Sequence, residues 1–520
     1  MQGKKELKEG PRIRESETLG EASSVDRLTK QIAKGGGIAF AGQVAGRFFT
    51  LLLQILLTRV LGTVSYGLYA LGFSVLGIAQ TVSLFGLQNG VVRFGAMYRG
   101  EGDRARLKGT LLLALGTSFG LALVVAITLY FLAGVIAKGV FHEPSLAGPL
   151  RAFAFALPFY TLVTISAFSA RAFRRIDYDV VVSQLFRPLV TFVAVGGSFL
   201  LGFRLMGAVY GFLFSMVTAA GFSLYLLYRL FPDIASGLRA RWEPKTMFLY
   251  SGTVLMVGMS SLLVTRTDRI MLGILSSAKS VGIYSAAANL AMQAALFLTS
   301  FNAIFSPIIS DLFHRGRMRE LEALFKTTTK WIFTLTLPVA LILVLFARPI
   351  MRVFGPGFAA GASALIALGV AQLVNAGVGS VGFMLTMTGR QKIALVNSLA
   401  LGGLNVLLNL LLIPRYGVLG AAIATGISIT SINVARLVEV YWLYKLHPYK
   451  LSYWKPVVAG AAAAAFCLGL RKFVEFAGWA QVGEVALLGG IYAATFILFG
   501  LEEDDRAVLQ AVKARFLSRP

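Results

Sequence analysis

Three arginines sit inside apolar segments of this sequence, where a charged side chain is least expected: Arg47, Arg187 and Arg436. Two more, Arg266 and Arg269, flank Asp268 at the end of another such segment, in RTDRIMLG (266–273). A guanidinium stays charged and presents a planar fork of donors that matches carboxylate and phosphate oxygens. Arg47 has no acid within reach, because none occurs between Asp26 and Glu101. In hydrocarbon such a group costs a few kcal/mol or more unless it is paired or hydrated, so Arg47 is expected to line a water-filled cavity. Arg187 also lacks a local acid and is shallower, so cavity lining and snorkelling both fit it. Arg266, Asp268 and Arg269 fit either a structural ion-pair cluster or an anion site gated by Asp268. Arg436 lies one turn from Glu439, which suits a local ion pair. The four arginines Arg47, Arg187, Arg266 and Arg269 outnumber the carboxylates near them, a balance that favours a phosphate or diphosphate ligand.

Neutral polar residues share faces with these arginines. Gln43, Arg47, Thr50, Gln54 and Thr58 follow one another at spacings that put all five on one helical face. Ser74, Thr81 and Gln88 repeat at heptad spacing, and Gln184, Arg187 and Thr191 form another such face. Asn289, Asn405 and Asn409 extend the pattern into the second half of the chain. Polar faces of this kind turn towards each other or towards water, because lipid satisfies neither their donors nor their acceptors. Gln43, Gln54, Gln88, Gln184, Asn289, Asn405 and Asn409 are therefore candidate cavity-lining residues, with helix-to-helix bonding as the plainer alternative for each.

The elements that carry these residues are membrane helices. Hydrophobic residues make up 57% of the 520 and charged ones only 14%, against roughly 25% charged in a soluble domain. Apolar stretches of spanning length number fourteen, the first beginning near residue 37 and the last ending near 500. The polar start of the chain, 1–36, reads as a retained cytoplasmic tail rather than a cleaved signal. With that end in the cytoplasm, 34 of the 49 Lys and Arg residues fall in cytoplasmic tails and loops, as the positive-inside rule requires. Both termini are then cytoplasmic in a multi-pass protein of the cell membrane. The net charge of +25 reads as this topology code and a cushion for anionic membrane lipids, not as a nucleic-acid footprint.

Short matches recur at a shared offset: YLLYRL (225–230) with YWLYKL (441–446), YGLYA (66–70) with GIYSA (282–286), and Arg99-Gly100 with Arg315-Gly316. They imply a repeated six-span unit, with an N-lobe at 37–230 and a C-lobe at 246–446. Residues 447–520 add two helices and a cytoplasmic tail. The expected fold is an all-α polytopic membrane protein of about fourteen transmembrane helices. Its two six-helix lobes are related by a pseudo-two-fold axis along the membrane normal. Prolines 158, 188, 307 and 338 fall inside spans and should kink them. The mixed stretch 311–330 reads as an interfacial amphipathic helix.

Other chemistries lack their residues. No GxxxxGK[ST] loop is present, and no loop is long enough for a catalytic domain. One cysteine, Cys467, and three histidines leave little for a metal centre, so neither metal nor cofactor is expected.

LGTVSYGLY (61–69), TDRIMLGILSSAKSVGIY (267–284) and NLLLIPRYGVLGAAIAT (409–425) resemble the polysaccharide-transporter branch of the multidrug/oligosaccharidyl-lipid/polysaccharide exporter superfamily. The resemblance implies a flippase, not an enzyme, that moves a polyprenyl-phosphate-linked or diphosphate-linked glycan across the cytoplasmic membrane by alternating access. It acts as a monomeric transport unit. Arg47 is the position most similar to a first-helix arginine of related lipid II flippases. Two alternatives remain open here: a cation-coupled multidrug exporter of the same superfamily, and a membrane glycan polymerase or ligase.

Overall fold

The computed structural model describes residues 15–473, 478 and 480–500. The described chain is helical from end to end, with no strand among these residues. In order the helices are α1 (Glu15–Leu84), α2 (Leu87–Gly100), α3 (Arg104–Val135), α4 (Ala147–Ala172), α5 (Ile176–Asp179) and α6 (Arg187–Leu200). Then follow α7 (Leu205–Leu230), α8 (Pro244–Thr265), α9 (Thr267–Leu275), α10 (Ala278–Ala291), α11 (Leu296–His314) and α12 (Met318–Leu345). The chain continues through α13 (Ala347–Val353), α14 (Ala362–Val378), α15 (Val381–Met387), α16 (Gln391–Tyr444), α17 (Trp454–Leu470) and α18 (Ala480–Leu498).

Eleven helices among the described residues are long and apolar enough to cross a membrane, and the chain is a multi-pass membrane protein. Two of them are too long for one crossing. Helix α1 runs 70 residues and α16 runs 54, whereas a hydrocarbon core about 30 Å thick needs only about 20 residues. Each is broken in the middle by a glycine in the left-handed region, Gly62 at φ 69° and Gly417 at φ 53°, a conformation that costs any other residue far more. The stretch 311–330 is not a single interfacial helix. Gly316 at φ 68° ends α11, and the apolar residues Leu321 and Phe325 are buried in the first turns of the 28-residue α12.

Helices up to Leu230 pack mainly on one another, as do those from Pro244 to Tyr444, and two seams join the groups: α1 against α10 and α2 against α8. The first seam is a backbone-to-backbone crossing. A Cβ built on Gly67 would lie 1.7 Å from the Ala278 carbonyl oxygen, and one on Gly282 would lie 2.1 Å from that of Thr63. These contacts are reciprocal, because Gly67 and Gly282, and Thr63 and Ala278, are each 215 positions apart. Tyr66 meets Phe358 edge-on across the same seam, with ring centroids 6.0 Å apart, and one core continues through it from Leu57 and Tyr69 to Ala286 and Phe354. The second seam is lined by rings, Phe85 with Phe248 and Phe94 with Tyr250.

Helices α17 and α18 pack on each other and on α12. Their tie is Arg471, which pairs with Glu484 at 2.6 Å and donates to the Leu345 carbonyl at 3.2 Å. Glu484 is only 2% exposed, so Arg471→Ala would strand a buried carboxylate. The expected cost is of order 3 kcal/mol. It should be visible as a lower thermal midpoint of the purified protein, and as protease cleavage of the α17–α18 pair.

Candidate functional site

The candidate site is assembled along the inner length of the α1–α10 seam. The Arg47 side chain is half-buried and leaves α1 towards the other helix group, donating to Gln293 Oε1 at 3.3 Å and to Thr299 Oγ1 at 3.5 Å. One helical turn from Gln293, Asn289 Oδ1 accepts from the Arg269 guanidinium. The helix is interrupted here by a 3₁₀ segment, Met292–Ala295, so Gln293 stands on a break between α10 and α11. Mid-helix breaks of this kind often mark a functional hinge.

Arg266, one residue before α9, lies over the Phe73 ring, 5.3 Å from its centroid. Arg187 opens α6 directly after the π-helical segment Val180–Phe186, which also carries Gln184, and lies 5.9 Å from the Tyr160 ring centroid. Aromatic faces attract guanidinium groups without neutralising them. Among the described residues, no carboxylate lies within ion-pair distance of Arg47, Arg187, Arg266 or Arg269.

The carboxylate closest to them in sequence is committed elsewhere. Asp268 is 6% exposed and accepts from Tyr284 Oη at 2.6 Å, Thr425 Oγ1 at 2.6 Å and Asn409 Nδ2 at 2.8 Å. Asn409 Nδ2 also donates to Asn405 Oδ1 at 3.0 Å. Neutral donors thus take the place that an ion pair with Arg266 or Arg269 would fill. Asn409 Oδ1 is buried without a hydrogen-bond partner. No cluster of three or more His, Cys, Asp or Glu occurs among the described residues. Tyr284→Phe should cost about 1.5–3 kcal/mol by removing one of the bonds to the Asp268 carboxylate. Asp268→Ala should cost more, because it strands three buried donors at once. Thermal unfolding of both variants in detergent checks this order.

Of the other polar residues, Gln54 donates to the Ala286 carbonyl at 3.2 Å, so it bonds the two helix groups together across the seam. Gln88 Oε1 is buried without a partner. Gln184 is half-buried, and its backbone carbonyl lies against Gly46 of α1. The Gln43 side chain lies outside the described residues. The hydroxyls of Thr50, Thr58, Ser74 and Thr81 donate to carbonyls four residues back on their own helix, a local arrangement that needs no ligand. Arg436 and Glu439 are not bonded to each other. Glu439 Oε2 accepts from Asn397 at 2.7 Å, while Arg436 Nε is buried without a partner.

Sequence reasoning missed Gln293, because nothing in its neighbourhood predicts the 3₁₀ break that aims it at Arg47. It also missed Tyr160, Phe73, Tyr284 and Thr425. The aromatic ones look like any apolar position until the packing is seen.

Residues 32–313 match the family model described as "Polysaccharide biosynthesis protein". The chain belongs to that family. The matched segment runs from α1 into the last turn of α11, and therefore holds Arg47, Arg187, Arg266 and Arg269 together with Asn289 and Gln293. The expectation drawn from the three motifs, kinship with a polysaccharide family of membrane proteins, is met by this match. The chain is similar to "Uncharacterized membrane protein MJ1068" of Methanocaldococcus jannaschii, 23% identical over 488 residues, covering 87% of this chain and 92% of that protein. It is also similar to "Probable low-salt glycan biosynthesis flippase Agl15" of Haloferax volcanii, 25% identical over 268 residues, half of this chain and 54% of the other. Among solved structures, the lipid II flippase MurJ in an inward closed conformation superposes with a TM-score of 0.69 at 15% identity. That likeness covers 92% of this chain and 99% of MurJ, so the two share a fold.

Proposed function

We propose that the protein is a flippase that carries a polyprenyl phosphate- or diphosphate-linked glycan precursor from the cytoplasmic to the outer leaflet. The observation that carries this reading is the set of arginines without carboxylate partners among the described residues: Arg47, Arg266 and Arg269 where the two helix groups meet, and Arg187 on the Tyr160 ring. Guanidinium forks held by rings and amides meet a phosphate with charge-assisted bonds, and nothing nearby neutralises them. The glycan-flippase relative and the MurJ-like fold support the same reading. Counting two crossings each for the Ala45–Gly100 and Gln391–Tyr444 spans, and one for α8, the chain crosses fourteen times. Both termini then lie in the cytoplasm. The first six crossings and the next six form two lobes, and the last two crossings are an appendage. In this account Arg47, Arg266, Arg269 and Arg187 hold the diphosphate, Gln88 and Gln184 face the sugars, and Gln54 fastens the seam. The polyprenyl tail stays in lipid, and the lobes rock about the Gly67–Gly282 crossing. An inside-negative potential favours outward movement of the anion by about 2.3 kcal/mol per charge per 100 mV.

A cation-coupled drug exporter needs a membrane carboxylate in its first lobe, and the apolar segments between Asp26 and Glu101 hold none. A glycan polymerase or ligase would change the length of its substrate. Proteoliposomes loaded with a prenyl-diphosphate-linked oligosaccharide separate these readings. The expected result is protein-dependent appearance of the glycan to a lectin on the far side, with glycan length unchanged. Chain extension, or no protein-dependent exposure, would overturn the proposal.

A further inference from the structure

Asn289 and Gln293 lie one helical turn apart, and each offers a side-chain oxygen to a different arginine. Asn289 Oδ1 accepts from Arg269, which belongs to the same helix group. Gln293 Oε1 accepts from Arg47, which reaches across from α1.

The Arg47 bonds are long. At 3.3 Å and 3.5 Å they lie beyond the usual N–H···O length of about 2.9 Å, and both acceptors are neutral. A phosphate oxygen makes a shorter bond that is roughly twice as strong, so Arg47 gains by changing partner. These bonds lie towards the amino-terminal end of α1. Gln54 with Ala286 and Gly67 with Gly282 lie progressively further along it. Gln293 itself stands on the 3₁₀ break between α10 and α11, where a local rearrangement costs fewer regular helix bonds.

We propose that Asn289 and Gln293 are positioning residues. Their side-chain oxygens hold the Arg269 and Arg47 guanidinium groups in place for a lipid diphosphate, which then takes both over. Transfer of Arg47 from Gln293 to the ligand unfastens that end of the α1–α10 seam, so that binding itself releases the lobes to move. The inference rests on the flippase reading above for its ligand class, and goes beyond it in assigning the coupling of ligand to lobes to one glutamine.

The test uses the full-length protein in detergent and farnesyl diphosphate as the probe, measured by titration calorimetry. Three proteins are compared: wild type, Gln293→Leu and Gln293→Glu. A placeholder predicts that leucine, which removes the competing acceptor, binds as tightly as wild type or tighter. Glutamate, whose charge occupies Arg47 permanently, should bind about tenfold more weakly or worse, a loss near 1.4 kcal/mol. A merely structural glutamine predicts the reverse order, since glutamate is close to isosteric and leucine makes no hydrogen bond. Glutamate's effect should also vanish in an Arg47→Ala background, because it acts through that arginine. Should Gln293→Glu fail to insert, Thr299→Glu places the same charge on the other acceptor, with the same weakening expected. Binding by wild type with glutamate at least as good as leucine overturns the inference alone. Absence of farnesyl diphosphate binding by wild type overturns the anion-site reading beneath it.

Discussion

Arg47→Ala is expected to lower transport of a diphosphate-linked glycan by about 10- to 100-fold, the equivalent of losing charge-assisted bonds worth 1.5–3 kcal/mol. The protein should nevertheless insert and elute as the wild type does. The separation of the two effects follows from the contacts that alanine gives up. Arg47 makes two long bonds to neutral groups and takes part in no ion pair among the described residues, so the fold loses little when it goes. The ligand loses the one guanidinium that approaches from the first helix. Arg47→Lys should retain only part of the activity, because an ammonium is a point charge and cannot bind two oxygens as a planar fork does. Initial rates in proteoliposomes, measured over a range of substrate concentrations, check both variants. An alanine variant with full activity would remove Arg47 from the site.

Alanine at Gly67 or Gly282 is expected to lower both the thermal midpoint and the rate of transport, by a similar amount at either position. Helix propensity alone predicts the opposite sign, since alanine is favoured over glycine in a helix interior by about 1 kcal/mol. The crossing decides otherwise. Cβ atoms 1.7 Å and 2.1 Å from carbonyl oxygens cannot be accommodated unless the helices move apart, which opens the core that runs through the seam. Overpacking of this kind costs about 1–3 kcal/mol. The reciprocity of the two contacts is the reason to expect matching losses. Unchanged midpoints in both variants would show that the helices do not cross closely there.

The apolar segments and their turns were legible because each depends on local composition. Runs of spanning length are visible directly, and glycines such as Gly62, Gly316 and Gly417 end or bend helices wherever they occur at positive φ. The single helix read over 311–330 is divided by one such glycine. Its apolar face was read correctly, but Gly316 divides the stretch and gives the face to α12. The arginines were equally legible as charges without local partners. Their acceptors were not, because partners distant in sequence leave no spacing signal. Gln293 lies 246 residues from Arg47. Asn409 and Thr425, which lie 141 and 157 residues from Asp268, take that carboxylate away from the arginines beside it. The same holds for Glu439, which an i, i+3 spacing assigns to Arg436 but which bonds to Asn397, 42 residues away.

The account stands on guanidinium groups that recognise phosphate, so the most direct measurement compares two substrates that differ in that group alone. One is a fluorescent prenyl-diphosphate-linked oligosaccharide. The other is the same oligosaccharide joined to the same prenyl chain through a plain ether. Proteoliposomes containing the wild-type protein should move the diphosphate between leaflets and leave the ether at the rate of empty vesicles, and added farnesyl diphosphate should slow the first. Equal protein-dependent rates for both compounds would contradict it.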